Sequence, residues 1–189
     1  MELFRNRGCP VLGRLHFTES ADSGIGALFG LKLPSGDFEV QNDEGDRAER
    51  TLQPGTGTTD VLAGGYYRSH GSETGAWFAQ ILWQAAVGER EDFRPGDRVG
   101  VDLAYRHAST GTVNALLQVN LLHRGRDSGA QAEPDDSGGH FAFIGPGLSY
   151  QLGRATQVHG FVQVPVYQYV NGVQLTATWS LVAGLATRF

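Results

Sequence analysis

Cysteine, lysine and methionine each occur once in this chain, at Cys9, Lys32 and Met1. A single cysteine excludes a disulfide framework and a cysteine-based zinc site, and Cys9 lacks the apolar lead-in of a lipid-anchored cysteine, so it reads as a free thiol. With one lysine, positive charge is carried by arginine. The net charge of −5, without any basic stripe, excludes a nucleic-acid-binding surface. No window of about 18 residues is continuously apolar, which excludes a membrane-crossing helix. The opening MELFRNRGCPVLGRLHF contains no apolar run of the ~7–15 residues that a secretion signal requires. Catalytic signatures are missing too. The histidines, His16, His70, His107, His123, His140 and His159, show no metal-ligand spacing, and no serine sits in a Gly-x-Ser-x-Gly elbow. A lipid-modifying hydrolase built on His123 or His159 has nothing in the sequence that links either to a serine. Asp43-Glu44-Gly45-Asp46 lacks the register of a calcium loop. No enzyme, metal or cofactor is expected.

What the chain does have is alternation. In residues 172–189, GVQLTATWSLVAGLATRF, bulky apolar side chains fall on one face of a strand and small or polar ones on the other, a period of two with no proline. A strand of this length fits a bilayer, which takes roughly 9–11 tilted residues to cross. The same alternation predicts strands over 25–33, 59–70, 75–88, 97–107, 112–124, 140–152 and 157–169, giving about eight with 172–189. Pro146 and Pro165 are awkward, because each removes a ladder donor. Residues 1–24 are predicted to be irregular, with Val11–Phe17 either the remnant of a strand or a loop. The expected fold is all-β: an antiparallel transmembrane β-barrel over 25–189, possibly the carboxyl-terminal part of a larger one.

The connections alternate in length as they do in outer-membrane barrels, with short turns at one end and longer polar loops at the other; only the hairpin at Asn171-Gly172 breaks the pattern. In that orientation Tyr67, Trp77, Tyr105, Tyr150 and Phe189 lie at the inner end of the bulky face, as an aromatic girdle at one membrane interface. Fourteen of the 20 acidic residues fall in or beside the long loops, and no charge interrupts the bulky face of any strand. Lipid is therefore the partner expected for that face. Such a membrane protein needs a secretion signal, so the natural start is expected to lie upstream of Met1. Alternation alone does not separate this fold from a soluble lipocalin-like barrel with its apolar face inward.

With lipid outside, the polar face lines a lumen. The candidate solute path comprises Lys32, Arg68, Gln80, Gln84, Arg98, Asp102, Arg106, Asn114, Gln118, Asn120, His159 and Gln163. Arg98, Asp102 and Arg106 share one face of one strand, which places a carboxylate between two guanidiniums. This reads either as a ladder filling a narrow barrel or as a selectivity element.

The run GLKLPSGD at Gly30–Asp37, followed by TLQPGTGTTD at Thr51–Asp60, resembles the paired signature of a bacterial outer-membrane family named after the meta-pathway of phenol degradation. The similarity extends from about Ile25 to Phe189. It implies a barrel that passes small, often aromatic or apolar, solutes without a cofactor, located in the bacterial outer membrane. The terminal aromatic Phe189 resembles the last residue of outer-membrane barrels, which implies assembly by the barrel-assembly machinery. A non-conducting structural or adhesive barrel is the alternative.

Overall fold

The computed structural model describes residues 8–187 apart from 21, 51–52, 70, 72–74, 108–111, 154 and 175. Nine strands follow one another: β1 Cys9–Glu19, β2 Ser23–Leu33, β3 Asp60–Ser69, β4 Gly75–Ala86, β5 Arg98–His107, β6 Val113–Arg124, β7 Gly139–Leu152, β8 Thr156–Val170 and β9 Ser180–Thr187. Each pairs antiparallel with the next in one meandering sheet. The only helical element among the described residues is a single 3-10 turn at Pro134–Asp136. β1 and β9 are the two edges, and the sheet is not closed into a barrel. Because nine antiparallel strands separate an odd-numbered first from an odd-numbered last, both edges run in the same direction.

Two elements differ from the sequence expectation. The apolar patch Val11–Phe17 lies within β1, so part of the segment predicted to be irregular is a full strand paired with β2. Its alternation is obscured by a register shift between His16 and Thr18. At the other end, the strand predicted to begin at Gly172 begins at Ser180. Residues 171–174 are captured by the 3-10 turn instead. The backbone N–H of Val173 donates to Asp136 Oδ1 at 2.8 Å, Asn171 Nδ2 to the Ser137 carbonyl at 2.8 Å, and Gln174 Nε2 to the Gly138 carbonyl at 2.8 Å. Gly172, at φ +56°, permits this because a Cβ there would collide with Asp136. The connection is thus a long one, and all four connections at that end, residues 34–59, 87–97, 125–138 and 171–179, are longer than those at the other. We call these the loop end and the turn end.

The two doubtful prolines are accommodated in the β7–β8 ladder. Pro165 pairs with Phe143 at the register shift beside Ala142, and the pairing passes over Gly145 and Pro146. Both prolines therefore sit where the ladder is interrupted, as the lack of an N–H requires.

The alternation sorts side chains by polarity between the two faces. On one face Leu28, Leu62, Tyr66 and Leu82 form a small buried cluster with Phe78 against it, surrounded by buried polar groups. Side chains two strands apart meet on this face, which makes it the inner one. Tyr66 Oη lies 2.6 Å from His16 Nδ1, bridging from β3 to β1 across β2. The bridge passes over Gly26, where an added Cβ would come within 2.5 Å of the Tyr66 hydroxyl and 2.2 Å of the Leu15 carbonyl oxygen. Arg14 lies 5.0 Å from the centre of the same ring. The opposite, outer face carries most of the large apolar side chains, and they are exposed.

Gly26→Ala is expected to break the Tyr66–His16 bond and destabilise the sheet by about 1–3 kcal/mol through overpacking. Urea unfolding of the detergent-solubilised protein, followed by tyrosine fluorescence, measures this.

Candidate functional site: the polar inner face and its cap

All twelve residues assigned to the solute path lie on the inner face. Lys32, Gln84 and Arg98 are at the loop end, Gln80, Asp102, Gln118, Asn120 and Gln163 in the middle, and Arg68, Arg106, Asn114 and His159 toward the turn end. They fall there because each occupies the polar position of a period-two strand. Their contacts form two networks.

At the loop end, Lys32 Nζ lies 2.7 Å from Asp60 Oδ2 and donates to Thr56 Oγ1 at 2.7 Å. Thr58 Oγ1 donates to Asp60 Oδ1 at 2.7 Å, and Gln84 Nε2 to Asp60 Oδ2 at 2.5 Å. The ion-pair side chains are only 2% and 3% exposed. With Arg98, Pro95 and Gly96 they enclose a void of about 10 Å³, room for about one water. Two charges so far from solvent persist because every carboxylate oxygen is hydrogen-bonded.

In the middle, Asp102 accepts from Asn120 Nδ2 at 2.6 Å and from Gln80 Nε2 at 3.3 Å. Gln163 Nε2 donates to Asn120 Oδ1 at 2.8 Å, and Ser180 Oγ donates to Gln163 Oε1 at 3.1 Å. The chain of bonds thus runs from β4 to β9. On its way to Asn120, Gln163 passes over Gly145 of β7, where an added Cβ would meet Gln163 Cγ in ordinary contact at 3.4 Å. The Asp102 carboxylate is therefore held by carboxamides of neighbouring strands, where the sequence spacing had suggested the guanidiniums of Arg98 and Arg106. Cross-strand partners are about 5 Å away, whereas residues four apart along a strand are ~13 Å apart. Toward the turn end, Asn114 Nδ2 donates to Ser149 Oγ at 3.4 Å, and the His159 ring lies over Gly184.

The loops at the loop end form one connected cap. Arg50 donates to the carbonyls of Phe38 and Thr56 at 3.0 Å each and of Arg90 at 3.2 Å, with its guanidinium between the Phe38 and Phe93 rings at 4.8 and 5.0 Å. Gln53, 1% exposed, bonds the backbone of Val40 and Ala48. Arg94 and Ser128 pair through their backbones at 2.7 and 2.9 Å. Asp127 is buried, accepting from Arg124 at 2.7 Å and from the Gly96 N–H at 2.8 Å. Between Arg47–Arg50 of the first long loop and Ala130–Glu133 of the third lies an open cavity of about 330 Å³. Sequence reasoning identifies these loops as long and acidic but not as a packed layer. Their contacts are backbone bonds and single side chains, which leave no periodic trace.

Two cap residues have displaced acidities. Arg47 donates to Glu91 at 2.7 Å and by that bond holds the Glu91 carboxyl below its usual range. Arg50 is lowered, first by burial and then by the neighbouring Arg47 charge, while remaining a cation.

On the outer face, Tyr67, Trp77, Tyr105 and Tyr150 all stand at the turn end as expected, with the rings of Trp77 and Tyr105 4.5 Å apart across β4 and β5. Phe189 lies outside the described residues. A second set of aromatics, not anticipated as such, stands toward the loop end on the same face: Trp83, Tyr167, Tyr169 and Trp179 are 40–64% exposed.

No family model matches this chain, nor does any curated protein or solved structure.

Asp60→Asn is expected to cost about 3–5 kcal/mol by leaving the Lys32 charge buried without its counter-ion. The double change K32M/D60L should recover most of that loss. Urea unfolding of the three variants in detergent tests both statements. For Glu91, a folded-state pKa below the unfolded one means that its contribution is present above about pH 4.5 and disappears as pH falls through the folded value. Nicking of the first long loop by an acid-tolerant protease should therefore accelerate progressively as pH falls below about 4.5. Glu91→Gln should give roughly two- to five-fold faster nicking already at neutral pH, as befits an exposed pair.

Proposed function

We propose that these nine strands are wall strands of a bacterial outer-membrane β-barrel. The outer face meets lipid, and the polar inner face passes small solutes by passive diffusion beneath the loop cap. The observation that carries this reading is the inverted polarity of the sheet. Asn120, Lys32, Asp60, Gln163, Gln84 and Asp102 are 0–8% exposed, whereas Leu148, Leu181, Trp77, Ile81 and Ile25 are 50–63% exposed. Roughly two dozen large side chains, each leaving on the order of 80–100 Å² uncovered, make an apolar surface of roughly 2,000 Å². Covering it is worth about 50 kcal/mol at ~25 cal/mol per Å², several times the ~5–15 kcal/mol stability of a typical domain. A soluble ligand-binding barrel would hold these side chains inside.

Dimensions support the same reading. From Gly75 to Ala86 strand β4 rises about 37 Å, and a tilt of ~40–45° projects this to about 26–29 Å, enough to cover the ~25 Å apolar band of such barrels. Aromatics stand at both ends of that band, and the acidic loops lie beyond one end. The family resemblance at Gly30–Asp37 and Thr51–Asp60 adds the solute class, small aromatic or apolar compounds. The inner-face cluster of Leu28, Leu62, Tyr66, Leu82 and Phe78 suits such compounds. Insertion by the outer-membrane barrel-assembly machinery belongs to the same proposal. Since both sheet edges run the same way, antiparallel closure takes an odd number of further strands.

A second reading, a non-conducting structural barrel, is favoured by the tight packing around Lys32 and Asp60, where a void of about 10 Å³ admits no solute. The deciding experiment produces the protein with a secretion signal in a Gram-negative host. Retention in the outer membrane after an alkaline wash, with mobility on electrophoresis that shifts on heating, is expected; release as a soluble protein overturns the membrane reading. Planar-bilayer recordings then separate the two barrels. Conductance steps support the pore, and a sealed bilayer at high protein load supports the structural wall.

A further inference from the structure

Outside the polar inner face, the outer face brings two histidines into direct contact. His123, near the end of β6, and His140, at the start of β7, are direct partners in the antiparallel ladder. Both are exposed, and their Nδ1 atoms are 3.2 Å apart with ring centroids 4.6 Å apart. Tyr169 of β8 continues the row beside His140, ring centroids 6.2 Å apart.

We propose that His123 and His140 form a cross-strand chelate for a divalent first-row transition metal. Two imidazole nitrogens that share one ion at ~2.0–2.1 Å lie about 2.9 Å apart at a right angle and about 3.3 Å apart at the tetrahedral angle. The observed 3.2 Å falls between these limits, so the two nitrogens already stand at the separation a shared ion requires. Imidazole selects zinc, copper or nickel over magnesium or calcium, and the general affinity order places copper(II) first. The protein supplies two positions, and water or a small ligand completes the shell, leaving the ion open to exchange. The ladder fixes the pair, because β6 and β7 are joined from Val113 to Arg124. The spacing of 17 residues in sequence resembles no metal motif, which is why only the strand register reveals the pair. His123 and His140 stand at the loop end of their strands beside Tyr169, where water reaches the ion even with lipid against the rest of the outer face.

The test uses the full chain in detergent micelles, without a histidine tag, titrated with copper(II) against a competing chelator and followed by electron paramagnetic resonance. One tightly held equivalent with two nitrogen ligands is expected, and His123→Asn or His140→Asn should each weaken it at least tenfold, since each removes the intramolecular second ligand. His107→Asn, at the opposite, turn end of β5, should leave binding unchanged. Affinity in both single variants unchanged from the unsubstituted protein, or a ligand set without two imidazoles in the unsubstituted protein, overturns the assignment. The spectrum of the unsubstituted chain decides the matter even if a variant fails to fold.

Discussion

Every strand of a sheet must give alternate side chains to opposite faces, and here the polar half is given to the crowded face. The rest of the architecture follows from that constraint. A buried carboxylate, ammonium or carboxamide on the inner face is costly unless its neighbours satisfy it, so Lys32, Asp60 and Gln84 close one network and Gln80, Asp102, Asn120, Gln163 and Ser180 another. Glycines take the positions over which these side chains reach, as at Gly26 and Gly145. The apolar half is left outward, with little core of its own beyond the cluster around Tyr66.

The cap extends the same logic beyond the strands. Its loops use backbone pairs such as Arg94 with Ser128, and buried anchors such as Gln53, Phe93 and Asp127, to prolong the ladders into a continuous layer. Because the third loop also holds residues 171–174, the approach to β9 is set by the cap and not by a tight turn. Movement of one long loop therefore strains its neighbours, and any opening at this end is a property of the layer as a whole.

Seven of the strands could be read from alternation because period-two patterning is a local property, visible wherever one face is bulky and the other is not. β1 escaped since Leu12, Arg14 and His16 mix apolar and charged groups on its inner face and a bulge interrupts the register. The long terminal strand was overextended for the opposite reason. Val173, Ala177 and Trp179 continue the pattern perfectly well, but distant hydrogen-bond partners in the cap decide the backbone there. The inner-face membership of the solute-path residues was likewise local information. Their contacts were not: which carboxamide reaches Asp102, or that His123 faces His140, depends on pairing between strands, and a single sequence records that only indirectly.

The burial of Lys32 also governs chemical reactivity. It is the chain's only lysine, and the fold seals its amine behind Thr56 and Asp60 at 1% exposure. In the native state the chain thus offers amine-directed reagents no exposed lysine. Acylation at this one position becomes a clock for opening of the loop end, readable by mass without any introduced label.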